Sequence, residues 1–339
     1  DIIISKNALK IAELCFTPEQ INNLVFTEAP IHAASRHNHA EMIELLIHKG
    51  LSPNKKNSGD TALLATILND HYKSCETLLK SGECNPNLKD NHPRPLDNNK
   101  DQTETSAICE AARLGRLDFI ELLLKYKIDQ AQIQRAVIIA CERRHEDAAL
   151  ILLDGLDKNR RKGSIANYPL NAINPAIINN LSKITERLLS VDPQAVNYIN
   201  KCQTPLSSAC KTNNIPLAKH LISLNADIHG LDRSKYVISD NKNFLVANTQ
   251  EAQNIKFEQP THPLAEAAAN GNLELVKLLV GLGVDSRIAI LRNYMSGFMV
   301  NSMCNDVPAL ELAEANNHSE VVEYLRNIES KLPIKRPVL

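Results

Sequence analysis

Tryptophan is absent from this 339-residue chain, aromatic residues make up only 4%, and there are just 11 glycines. Glycine stands at less than half its usual share of about 7%. So little glycine leaves scant material for phosphate-cradling loops, and neither GxGxxG nor GxxxxGK[ST] occurs. The eight cysteines form no CxxC pair, which argues against structural zinc. Several of them lie inside apolar helical runs, where a free thiol acts as a small hydrophobe, and a reducing, cytoplasmic compartment is expected. No apolar run approaches the roughly 18–20 residues needed to span a bilayer. Neither sign of charge dominates: 38 basic and 39 acidic side chains leave a net charge of −1. That balance speaks against general binding to nucleic acid or anionic membranes.

What is present is repetition. Ala29 opens APIHAASRHNHAEMIELLIHKGLSPN and His262 opens HPLAEAAANGNLELVKLLVGLGVD, and the two align without a gap. The frame recurs from Thr61, Ser106, Arg135, Thr204 and Pro308, with a degenerate copy from Tyr168. Each copy has a short alanine-rich helix, a break, and a second, more apolar helix. The break calls for a left-handed residue, for which glycine is best and asparagine next. Asn38, Asn213 and Asn317 stand there, which helps explain how a chain with 35 asparagines manages with few glycines. One such unit cannot bury both of its faces, so stability must come from stacking on neighbours.

The opening Ala29–Pro30–Ile31–His32 and the turns Asn38–His39, Gly115–Arg116 and Asn317–His318 resemble the ankyrin repeat, as does the period near 33. The resemblance covers about Ala29 to Arg326. It implies a mainly α solenoid of about eight helix-turn-helix units, with 1–28 as an N-terminal helical cap, 29–331 as the array and 332–339 as a tail. Within the cap, Ser5–Leu14 and Pro18–Phe26 read as helices. Three openings are spaced too widely, which sets insertions near 83–104, 228–260 and 286–306. The first reads as an irregular surface loop. In the second, Tyr236–Ser239 and Phe244–Ala247 flank a turn and suggest a hairpin. The third holds three of the four methionines. Either it packs on the second insertion or it forms an adaptable patch for a partner.

No catalytic motif is found, and neither a cofactor nor a metal is expected. The resemblance assigns His32 to bracing the loop, and His39, His145 and His318 to hydrogen-bonding backbone in the turn. Cys84, near His92, is the exposed candidate for a nucleophile, against which stands a plain structural role. The family's variable positions, seven and eight residues after the opening, imply a concave binding face. Here they are Arg36–His37, Leu68–Asn69, Arg113–Leu114, Glu142–Arg143, Lys211–Thr212, Ala269–Asn270 and Ala315–Asn316, with Arg116 and Arg144 close by. Basic groups recur among them, so an acidic partner protein is expected, held by a monomer. The loop Arg160–Arg161–Lys162 adds cations. The same resemblance offers Asn54, Asn87 and Asn197 as candidates for asparagine hydroxylation. An alternative function is the targeting module of a larger bacterial effector, acting in the host cytosol or nucleus through a domain outside this chain. An enzyme built on the insertions is the remaining alternative.

Overall fold

The computed structural model describes residues 4, 6–15, 29–90, 105–158, 168–199, 203–229, 262–287, 289–292 and 305–331. They fall into two compact halves, Asp1–Pro169 and Leu170–Leu339.

In the first half a short helix α1 (Leu9–Cys15) precedes four helix pairs. These are α2 (Pro30–Arg36) with α3 (Ala40–His48), α4 (Ala62–Leu68) with α5 (Tyr72–Lys80), α6 (Ala107–Leu114) with α7 (Leu117–Leu123), and α8 (Gln130–Glu142) with α9 (Glu146–Lys158). First helices pack on first helices, α2 on α4, α4 on α6 and α6 on α8, and second helices do the same from α3 to α9. Helix α1 packs against α3, in the row of second helices. The expected helix from Ser5 begins later, because Asn7 turns the chain at φ 51°.

In the second half α10 (Ile173–Ile178) pairs with α11 (Ser182–Val191), α12 (Pro205–Lys211) with α13 (Ile215–Ser223), α14 (Pro263–Ala269) with α15 (Leu273–Gly281), and α16 (Ala309–Ala315) with α17 (Ser319–Glu329). Here too first helices stack in order, α10 through α16.

Small residues let the first helices approach. Ala33, Ala34, Ala111, Ala112, Ala267 and Ala268 are all buried, while larger groups such as Ile43, Leu78, Phe119, Leu152, Leu188 and Leu279 fill the space between the rows. Helix starts are fixed by caps. Thr61 Oγ1 accepts from Leu64 N (3.2 Å), and Thr204 with Ser207 forms a reciprocal capping box at α12. Helix α8 begins at Gln130, five residues ahead of the expected opening at Arg135, since QAQIQ holds nothing that stops a helix. Gly155 allows α9 to pass beneath Leu124; a Cβ there would sit 2.9 Å from Leu124 Cδ2.

Every pair turns on one left-handed residue: Asn38, Asp70, Gly115, Arg144, Asn180, Asn213, Gly271 and Asn317, with φ between 55° and 69°. Six of the eight carry a side chain, so asparagine and its substitutes do the work that glycine usually does.

The first insertion, expected as an irregular loop, and the third are both bounded by short strand pairs. The first leaves and rejoins the stack as an antiparallel pair, β1 (Lys89–Asp90) with β2 (Thr105–Ser106). The third does so through β3 (Ala289–Arg292) and β4 (Asn305–Pro308), registered Ala289 to Pro308 and Arg292 to Asn305. The hairpin expected at Tyr236–Ser239 and Phe244–Ala247 lies outside the described residues. So do the three methionines of the third insertion, the helix Pro18–Phe26, Arg160–Arg161–Lys162, His92 and the tail 332–339.

Candidate functional site

The left-handed residue positions the candidate face. The two residues before it end the first helix and turn outward, whereas the helix behind them is buried. In α2, Pro30 to Ser35 are buried while Arg36 and His37 are exposed; in α4, burial runs to Ile67, and Leu68 and Asn69 are exposed. Glu142–Arg143, Lys211 and Asn270 are likewise exposed, and Arg113, Leu114 and Thr212 half-buried. Arg144 is itself a left-handed residue, exposed at φ 64°.

One pair was missed from sequence. Ile178 and Asn179 precede the left-handed Asn180 and hold the same place in α10, with Ile178 39% exposed. The degenerate copy hid them because its leucines lie about four residues late; aligning on Asn180 rather than on the opening would have found them.

Not every predicted cation is presented outward. Arg113 Nε donates to both oxygens of Glu110 at 3.0 Å, and its Nη2 to Oε1 at 2.5 Å. Glu110, absent from the sequence reading, is only 1% exposed. Arg116 pairs with Asp70 and lies 5.9 Å above the Phe119 ring. Both arginines thus bind their own chain; Arg36, Arg143 and Arg144 are exposed.

Polar residues at the helix ends turn their donors inward. The Nδ2 groups of Asn69, Asn270 and Asn316 donate to the carbonyls four residues back, Ala65 (2.8 Å), Glu266 (3.0 Å) and Leu312 (3.0 Å). Thr212 Oγ1 does the same to Ser208 (3.0 Å). Each of these carbonyls also accepts from the same residue's backbone N–H, so the side chain adds a second bond at the helix end.

The turns are tied from one pair to the next. His145 Nε2 donates to Arg113 O (3.2 Å) and His318 Nε2 to Ala269 O (2.9 Å), the backbone-bonding role expected of them. His71, not singled out from sequence, bonds Ser35 O through Nδ1 at 2.9 Å. Asn272 takes this place in α15's turn and bonds Asn213. The loops after the second helices are tied by asparagine. Asn54 Nδ2 donates to Glu83 O (2.8 Å) and its Oδ1 accepts from Asn85 N (2.7 Å). Asn87 spans Lys127 O and Asp129 N, and Asn197 spans Asn225 O and Asp227 N, in the same manner. Both ends of each amide are therefore held by the neighbouring loop.

The described cysteines are poorly placed for nucleophilic chemistry. Burial pushes the thiols of Cys75, Cys84, Cys141 and Cys210 up to about 12, so the expected exposed candidate, Cys84, is a protonated, half-buried group. Among the described residues no helix is long and apolar enough to cross a membrane, and no cluster of three metal-binding side chains occurs. Asp90, read as part of a loop, is fully buried in β1. Its carboxylate accepts from Thr61 N (2.6 Å), which pins the first insertion to the start of α4.

Comparison with known proteins agrees with this frame at one end of the chain. Residues 2–90 match the family model for ankyrin repeats, in three copies. The match begins inside the stretch set apart above as a cap. No curated protein matches the sequence. The crystal structure of the human ASB11 ankyrin repeat domain is similar at 18% identity, with a TM-score of 0.39, over 90% of this chain and 99% of that one. Residues 2–90 thus carry ankyrin repeats, and the helix pairs beyond them repeat the same left-handed turn.

Proposed function

We propose that this chain is a non-catalytic scaffold that holds a partner protein against the exposed ends of its first helices. Ankyrin repeats are generally protein–protein interaction modules, and the partner is set by the residues each protein places on a common frame. One observation carries the reading. The helix pairs share their buried alanines and left-handed turns, yet the two residues before each turn differ in chemistry from pair to pair.

In the first half those residues include Arg36, His37, Arg143 and Arg144, which favours a partner with acidic groups facing them. Attraction of this kind steers the encounter and weakens with added salt, because the Debye length falls from about 10 Å at 0.1 M to about 3 Å at 1 M. The second half offers Ile178, Asn179, Lys211, Thr212 and Asn270, a face with one cation. The test is co-purification with the full chain as bait. Arg36→Glu with Arg143→Glu should lose the partner recovered by the wild type, whereas Glu121→Lys on the second-helix row should not. Equal recovery by all three baits would remove the first-helix face from consideration.

A further inference from the structure

Glu110 and Glu266 hold the same place in two helix pairs. Each lies five residues before the left-handed glycine that ends its first helix, Gly115 or Gly271. Residues three and four apart share a helical face, so both acids lie behind the two residues that precede the turn. Around Glu110 the chain provides its own counter-ion, since Arg113, one turn further on, chelates the carboxylate. One turn further on from Glu266 stands Ala269. A methyl group therefore occupies the place from which a guanidinium reaches back in the other pair.

Asn270 commits its Nδ2 to Lys211 O (2.9 Å) and Glu266 O (3.0 Å), which turns its carboxamide oxygen away from those carbonyls. Ser208 occupies the place of Glu266 in the preceding pair; its hydroxyl is buried and has no partner among the described residues. Burial raises the Glu266 carboxyl above the usual range, with the charge of exposed Lys211 acting against it. A carboxylate desolvated in this way gains most from a counter-ion that also brings hydrogen bonds.

We propose that this face of the second half takes an arginine side chain from its partner, with the guanidinium seated on Glu266 as Arg113 is seated on Glu110. Arginine fits better than lysine. Its planar fork can chelate the carboxylate through two N–H groups, as Arg113 does on Glu110, whereas an ammonium is a point charge. The proposal rests on the reading of the first-helix ends as a binding face.

The experiment pans a fully degenerate nonapeptide library over the immobilised full chain. Wild type should enrich arginine over lysine at one peptide position by on the order of tenfold, the worth of one charged hydrogen-bonded pair. Ala269→Arg, which plugs the site from within, and Glu266→Gln should each abolish that enrichment. Arg36→Glu, in the other half, should leave it unchanged. A thermal melt guards against misfolding: Ala269→Arg should keep or raise Tm, and any gain should vanish in the double variant with Glu266→Gln. Peptides retained without arginine preference, or with the same preference after Ala269→Arg, would overturn the arginine site and leave the binding face standing. Retention of no peptide by wild type would overturn both.

Discussion

The two halves build the same frame with different seams. In Asp1–Pro169 the second helices are joined by large and charged groups. Tyr72 meets Phe119 edge-on at 5.6 Å, Arg116 reaches Asp70, and Lys73 pairs with Glu41 at 2.7 Å. In Leu170–Leu339 a like ion pair, Lys219 with Glu274 at 2.6 Å, joins second helices, while amides tie the turns: Asn272 bonds Asn213, Asn214 bonds Asn180, and Asn270 reaches back to Lys211. Histidine appears in both, at positions 71, 145 and 318. The exchange is tolerated because register is set elsewhere, by a left-handed residue that fixes where each second helix begins. Seam chemistry is then free to vary, and so is the face beside it.

The comparison can be broken most directly at Phe119. Phe119→Ala deletes a fully buried ring with partners on both sides and should cost about 3–5 kcal/mol. Leu275→Ala, at the matching place in the second half, should fall lower in the 2–5 kcal/mol range typical of leucine. Denaturant melts of the two variants check the order; an equal loss would mean the aromatic seam contributes nothing beyond area.

Gly115→Ala comes next. Its φ of 67° costs an alanine about 1–2 kcal/mol, and the new Cβ would lie 2.7 Å from His145 Nδ1. A combined loss of roughly 2–3 kcal/mol is expected. Asn38→Gly, where the turn residue already has a side chain, should change stability by less than about 1 kcal/mol. If His145→Ala restores much of the loss in Gly115→Ala, the ring contact is the cause.

Acid should act in opposite directions at Asp90 and His262. The Asp90 carboxyl is pushed up to about 6 by burial, with Asp60 adding to the shift and Thr61 and Lys56 opposing it. The folded state thus holds a proton that the unfolded chain has released. The contribution is fully present below the usual carboxylate range and is lost as pH rises through about 6. His262 is buried and pushed down to about 4, its Nδ1 accepting from Leu264 N at 3.1 Å. Its contribution is present above 6.5 and is lost as pH falls toward 4. Hydrogen exchange at pH 7 and pH 5, corrected for intrinsic rate, should show α4 gaining protection, while at α14 the loss through His262 is opposed by Glu266, whose carboxyl is pushed up by burial. Asp90→Asn and His262→Gln should each flatten one response. The smallest effect is expected from Lys73→Ala, whose exposed ion pair with Glu41 should leave Tm unchanged within error.

Much of the frame was legible in the sequence because it is written in residue types with narrow conformational uses. Asn38, Asn213 and Asn317 announced left-handed turns, and Ala111–Ala112 announced close helix contact. The site was legible only as positions. Nothing in the spacing of Arg113 told that it would fold back on Glu110, since an i, i+3 pair can equally point both ends into solvent. Asp90 was hidden for a related reason: a lone acid in a polar stretch carries no mark of burial until the chain before Thr61 is placed beside it. The pair Ile178–Asn179 was lost to a shifted frame.

The strand pair at the base of the first insertion has a use beyond architecture. Lys89 lies opposite Ser106 and Asp90 opposite Thr105, so the chain leaves and returns at neighbouring points. Whatever joins those points can change length without asking the helices to move, and each doubling of a flexible loop costs only about 0.6 kcal/mol. The fold thus contains a socket at which foreign peptide could be exchanged, with Asp90 as its anchor and the helical stack as an undisturbed mount.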